Sequence, residues 1–276
     1  MAKSAFMKSS IAKKYWMALT GLFLCLFLVG HLIGNLQLIY SDALHFNQYA
    51  LFMTTNPAIK VLSYLTYASI IFHAIDGIVL TVQNKKARPV NYVMNKPGRN
   101  TIWASRNMAV LGTVILVFIV THMVTFWAVM HFDKNMPLQT MTINAGGMTQ
   151  DVYVTTAGGY IPTAQVAPGQ MEIKNRTEFY NSQYNLKVAE GYKDLHKITV
   201  AFFKQPQYGL LYTILYVISM VVLGFHLYHG FGSAFQSLGA NNPKYNGLIK
   251  NFGKAFAIIV PLLFAIIPVY IHFFIK

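Results

Sequence analysis

Charge is scarce in this sequence, and negative charge is scarcest. Of its 276 residues only 11% are charged, with 8 Asp and Glu against 22 Lys and Arg. An ordinary soluble domain carries about 25% charged residues, so this composition does not suit a water-soluble enzyme. The one cysteine, Cys25, lies inside an apolar run. That excludes an intrachain disulfide, a Cys-ligated iron–sulfur cluster and c-type haem attachment, so any redox centre must use other ligands. Also missing are a P-loop, a GxGxxG turn, an internal repeat and an acid–base pair that would mark a hydrolytic site.

What the sequence has in abundance is apolar material: 55% hydrophobic residues, among them 20 Phe and 17 Tyr. Such a surplus must face something other than water, and lipid is the obvious candidate. The net charge of +14 comes from short clusters of Lys and Arg between apolar runs rather than from one basic face. These read as topology signals, not as a nucleic-acid footprint. The basic start MAKSAFMKSSIAKKYW resembles a signal peptide, yet the apolar run behind it is about 25 residues long and lacks a small-residue cleavage site, which predicts a retained first helix.

Five segments are long enough to cross about 30 Å of hydrocarbon: about 14–40, 58–83, 103–131, 207–236 and 252–275. Lys3, Lys8, Lys13 and Lys14 precede the first, Lys85, Lys86, Arg88, Lys96 and Arg99 follow the second, and Lys244 and Lys250 follow the fourth, whereas 41–57 has no Lys or Arg. The positive-inside rule then makes the N-terminus cytoplasmic and leaves Lys276 outside. The expected fold is an all-α multi-pass membrane protein, a single domain over 1–276. Its external connection, about 132–206, is nearly charge-balanced. The runs VYVTT and YIPTAQV suggest short strands or a hairpin there, and DLHKITVAFFK an amphipathic surface helix, together forming an outer cap.

Ionisable side chains inside a span are costly and count as functional candidates. Four histidines, His31, His73, His122 and His226, fall one to a span in the first four spans. Each taken alone could be a histidine hydrogen-bonded to a neighbouring helix. Depth sets them in pairs. His31 and His122 each lie about nine residues, roughly 13 Å, before the outer end of an outward-running span, and His73 and His226 each lie about ten residues before the inner end of an inward-running one. In an up-down four-helix bundle the first and third helices are diagonal, as are the second and fourth. Each pair therefore faces itself across the axis, which suits the two axial positions of one haem iron and predicts two stacked bis-histidine b haems. Zinc would need three or four ligands at one depth. A proton relay would favour acids, yet Asp76 is the only one well inside a span. Gly30, Gly34, Gly77, Gly224 and Gly230 suit close approach to a porphyrin, although helix packing explains glycine equally well. His229, one turn beyond His226, is an alternate ligand, displaced about 4.5 Å towards the inner end.

With these residues in place, the sequence resembles the di-haem cytochrome b membrane anchor of succinate:quinone oxidoreductases, the succinate dehydrogenase and fumarate reductase family. The resemblance covers all five spans and rests on SSIAKKYWMALTGL and GHLIGNL in the first, FHAIDGI in the second, VTHMV in the third and FHLYHGFGSAFQSLG in the fourth. In that family the ligating histidine of the fourth helix stands four residues before a glycine, which fits His226 before Gly230. The resemblance implies a bacterial cytoplasmic membrane location. It also implies a flavoprotein with FAD and an iron–sulfur subunit docked on the cytoplasmic face, and electron exchange with membrane quinone, menaquinone by family analogy. The chain itself would catalyse no succinate chemistry, and the complex could form a dimer. The external loop departs from the family in its length.

Two other readings use the same histidines: the cytochrome b subunit of a hydrogenase or formate dehydrogenase, and a haem-free proton-coupled transporter, the latter disfavoured by the lack of inverted repeats and of intramembrane acids. Quinone reduction needs protons near bulk water. Gln37, Tyr40, Asp42, His45 and Asn47 form a polar group just beyond the first span, and His45, with an unperturbed pKa of about 6.5, is the first candidate there.

Overall fold

The computed structural model describes residues 9–90 and 96–275. Lys3, Lys8 and Lys276, which entered the topology argument, lie outside the described residues. The five expected spans are present as Ser10–Tyr40, Pro57–Lys86, Met108–Phe132, Gly209–Ser237 and Pro243–Phe274.

Their ends follow from capping. Ser9 accepts a bond from the Ala12 amide, Asn56 accepts from Ala58 and Ile59 with Pro57 at the first helical position, and Asn242 accepts from Lys244 ahead of Pro243. Within the spans, Thr66, Thr81, Thr121, Thr125 and Thr213 each donate to the carbonyl four residues back, so these hydroxyls need no water. The third span starts later than expected. Trp103–Arg106 is a separate turn, ended at Asn107, and Met123–Ala128 is wound as a π-helix before Val129–Phe132 closes the span.

The first four spans pack as a ring in which each lies beside its sequence neighbours and the fourth lies beside the first; the fifth packs on the first and fourth. Two buried clusters hold the first, fourth and fifth spans together, one of Leu32, Leu38, Val260, Ile267 and Ile271, the other of Cys25, Leu227, Phe231 and Ala257. The second span, by contrast, buries only Thr66 and Leu80. Its inward face, like that of the third span, lines a large internal cavity. Residues such as Leu26, Val61, Val110, Ile218 and Leu262 point outward and are exposed, as a lipid-facing surface requires.

Two connections differ from expectation. The first, expected only as a polar stretch between spans, contains the helix Ala43–Thr55, with Asp42 as its N-cap and Phe46, Asn47 and Ala50 buried. The long connection carries two three-stranded antiparallel sheets, β1 (Thr140–Ala145), β2 (Met148–Val154) and β3 (Tyr160–Pro162), then β4 (Met171–Lys174), β5 (Glu178–Asn181) and β6 (Leu186–Glu190). The all-α class therefore holds for the membrane part only. The expected strands VYV and YIP are in β2 and β3; the second sheet was not foreseen. Gly146 and Gly147, with φ of 61° and 87°, make the two-residue turn between β1 and β2 that only primed geometry allows. Leu138, Ile161 and Phe179 form the cap's own core.

DLHKITVAFFK forms the expected surface helix, Leu195–Lys204, with the Asp194 side chain accepting from the Lys197 amide. It packs on the Ala43–Thr55 helix and on the fourth and fifth spans. Asn47 locks the two connections together: its amide donates to Asp194 Oδ1 at 2.8 Å and to Gln139 Oε1, and its oxygen accepts from the His196 amide at 3.0 Å. Lys193 and Arg176 reach down to the carbonyls of Met130 and His131. The cap thus covers one end of the bundle. The opposite, basal end carries Lys13, Lys14, Lys85, Lys86, Arg88, Lys244 and Lys250.

Candidate functional site

The four intramembrane histidines meet in the pairs that their depths predicted. The rings of His31 and His122 are 5.9 Å apart between centres and cross at 89°, and those of His73 and His226 are 6.2 Å apart and cross at 67°. Each pair joins diagonal spans of the ring. An imidazole nitrogen binds a metal at about 2.0–2.1 Å, and with the ring centre a further ~1.1 Å behind it two imidazoles on opposite sides of one metal stand about 6 Å apart. Both pairs have that separation. Among the described residues no three of His, Cys, Asp and Glu converge, so the histidines form two facing pairs rather than one three- or four-residue group.

Neighbouring groups orient the rings. His73 Nδ1 lies 3.1 Å from the Met17 carbonyl and 3.3 Å from Thr20 Oγ1. A proton held on Nδ1 by that carbonyl leaves the Nε2 lone pair free for a metal. His122 Nδ1 lies 3.3 Å from the Tyr216 hydroxyl. Asn35 donates to the His31 carbonyl at 2.8 Å and sits 3.4 Å from the His31 ring nitrogens. His226 Nδ1 is buried with no hydrogen-bond partner, a polar demand that the protein leaves unmet. Phe27 stacks on His31 and Phe118 on His122, at 5.2 and 5.7 Å between ring centres. The π-helical turn begins directly after His122; such insertions are frequent at functional sites.

All four histidines line one cavity of about 1800 Å³, beyond the 300–1,000 Å³ of an ordinary small-molecule pocket. Its walls are mainly apolar. The glycines sort by role. A Cβ on Gly30 or Gly77 would meet nothing within 4 Å, so both widen the cavity, as does Gly230 on its wall. Gly21 was not singled out, yet its missing side chain makes room for His73, whose Cε1 would lie 3.1 Å from a Cβ there; Gly112 stands at 3.7 Å from His226 in the same way. Gly224 instead lets the fifth span approach, with Ala257 O at 3.1 Å, and Gly34 admits the Tyr49 ring. These features fit two flat apolar macrocycles, each ligated from both sides.

His229 also lines the cavity, but its Nε2 lies 3.2 Å from Ser233 Oγ, and it forms no ring pair with His73. The five polar residues chosen beyond the first span disperse. Asp42 caps a helix, Asn47 is buried in the cap lock, Gln37 is buried with Oε1 unpartnered, and Tyr40 and His45 are exposed. None of the five lines the cavity. At its cap end the lining includes a group that sequence reasoning missed: Trp127 donates to the Tyr67 hydroxyl at 2.8 Å, and His131 stacks on Trp127 at 4.6 Å with its Nδ1 2.7 Å from the Trp127 carbonyl. The sequence signal was the i,i+4 spacing of Trp127 and His131, which alone does not say that they face inward. No known protein family, curated protein or solved structure matches this chain.

Proposed function

We propose that the chain is the di-haem membrane anchor and electron conduit of a succinate:quinone oxidoreductase. The observation that carries this reading is the pair of facing imidazoles at each of two levels, 5.9 and 6.2 Å apart across one apolar cavity. In it, His31 with His122 and His73 with His226 are the axial ligands, His226 being preferred to His229 because only His226 faces His73. Each haem, when bound, supplies a one-electron centre. The chain holds the two in series, keeps water out with Phe27, Phe118 and Phe203, and sets the strength of the His73 and His122 imidazoles through the Met17 carbonyl and the Tyr216 hydroxyl at their Nδ1 atoms. The basic basal end supports a cytoplasmic orientation in a bacterial inner membrane and a docking face for an iron–sulfur and a flavoprotein subunit. Electrons then run from basal end to cap end and to menaquinone, whose headgroup fits beside Tyr67, Trp127 and His131.

A proton-carrying transporter is the less favoured alternative because Asp76, the one carboxylate well inside a span, does not line the cavity. The deciding experiment is the absorption spectrum of the purified protein. Two b-type haems per chain, both low-spin, support the proposal. Absence of reduced b bands would end it.

A further inference from the structure

The cavity wall has a charge pattern that the axial ligands do not explain. Among the described residues it includes no Asp or Glu and two lysines, Lys14 towards the basal end and Lys60 towards the cap end. Lys14 lies three residues, about 4.5 Å along the helix, before Met17, whose carbonyl holds His73 Nδ1. His229 lies three residues, about 4.5 Å, beyond His226 in the same direction. Both therefore stand one turn on the basal side of the His73/His226 level. Asn84, Ser105 and Ser233 line the same end. The other charged groups of this end, Lys13 on the first span, Asp76, Lys85, Lys86 and Arg88 on or just after the second, Lys96, Arg99 and Arg106 before the third, and Lys244, Lys250 and Lys254 on the fifth, do not line it. Ser233 Oγ lies 3.2 Å from His229 Nε2; with the serine as donor in that pair, the ring would carry its proton on Nδ1 as a donor.

A b haem is apolar except for two propionates on one edge, and carboxylates in a low-dielectric wall need a cation or donors. We propose that the basal mouth of the cavity, Lys14 with His229, is the binding site for the propionates of the basal haem. The inference rests on the di-haem reading, and it gives His229 a role other than ligation. Lys14 neutralises the carboxylates, His229 Nδ1 and Ser105 donate to them, and the lack of acid on the described wall avoids repulsion.

The test is a redox titration of the whole complex, at several pH values, for Lys14→Met, His229→Phe and Lys60→Met. The basal haem is identified as the one lost in His73→Ala. Lys14→Met should keep both haems low-spin and lower the midpoint of the basal haem alone, because an unneutralised carboxylate favours ferric iron. That midpoint should also acquire a fall with pH between about 5 and 7, where a propionate without its cation titrates, while the wild type stays flat. His229→Phe should act in the same direction on the same haem, and Lys60→Met should leave it unmoved. Loss of one haem in His229→Phe would make His229 a ligand and overturn the proposal. So would wild-type titrations in both variants, or a shift seen only in nanodiscs containing anionic lipid and not in phosphatidylcholine alone, which would assign the mouth to lipid phosphate. A wild type without b bands rejects the di-haem reading itself, whereas normal bands with unmoved midpoints reject this site alone.

Discussion

At the scale of single residues, the axial positions are where sequence reasoning reached furthest. Counting residues from span ends placed His31 level with His122 and His73 level with His226, and the rings do face each other. The groups behind the rings could not be found that way. Met17 O, Thr20 Oγ1 and Tyr216 Oη are set by the rotation of each helix about its own axis, which depth does not fix. Two predictions belong here. Around a haem iron held by His31 and His122, their near-perpendicular crossing of 89° would leave the two iron orbitals of π symmetry almost equal in energy. The oxidised protein should show a strongly anisotropic low-spin EPR signal, and an ordinary rhombic signal from that haem would contradict the ring geometry. In Tyr216→Phe, His122 Nδ1–H loses its acceptor, the imidazole becomes a weaker donor, and the midpoint of that haem should rise while both haems stay bound. An unchanged midpoint would show that the hydroxyl does not tune this ligand.

Elements were legible in proportion to how plainly their apolar pattern shows. The five spans and the amphipathic helix Leu195–Lys204 announce themselves. The helix Ala43–Thr55 does not, because its buried face includes Asn47, a polar residue that breaks the apolar stripe and is satisfied only by Asp194, Gln139 and the His196 amide some 90 to 150 residues on. The second sheet was hidden because its strands, joined as consecutive hairpins, are only four or five residues long, too short for an alternating pattern to stand out. The cap meets the third span through cations on carbonyls: Lys193 Nζ donates to Met130 O at 2.6 Å and Arg176 to His131 O, which serves the unpaired carbonyls of that helix end. Lys193→Met should cost about 1.5–3 kcal/mol of cap docking, the usual worth of a hydrogen bond to a charged group. Faster proteolysis within 132–206 would report it. A pH effect joins it. Burial pushes the His196 imidazole below its ordinary 6.5, against the opposing pull of Asp194 and Asp42. The undocked ring therefore takes up a proton below about pH 6.5 that the docked ring resists, so cap docking weakens as pH falls through 6.5. Proteolysis between pH 5 and 8 should show this trend, and His196→Phe should flatten it.

Over the whole molecule the charge is laid out unevenly, and in the proposed conduit that layout would order the two haems. The basal end gathers Lys13, Lys14, Lys85, Lys86 and Arg88, whereas the cap segment 132–206 balances seven Lys and Arg against six Asp and Glu. The packing is uneven too: the first, fourth and fifth spans are cemented by buried clusters, while the second packs on the first and the third on the fourth but the two meet each other sparsely, so a space large enough for two macrocycles opens there. That space was not legible in the sequence, since small residues such as Gly224 and Gly30 look alike there and differ only in what stands opposite. Positive charge lowers the energy of an added electron, and across a low-dielectric span this attraction is weakly screened. The haem held by His73 and His226 should therefore have the higher midpoint potential, making it the natural first acceptor for electrons that enter at the basal end. Redox titration of His31→Ala and His73→Ala assigns the two potentials. Neutralising Lys13, Lys85 and Lys86 together should narrow the gap by lowering the basal value. A higher potential on the haem that disappears in His31→Ala would reject the electrostatic ordering, and a gap unaffected by the lysines would move its origin to the Nδ1 partners of the ligands.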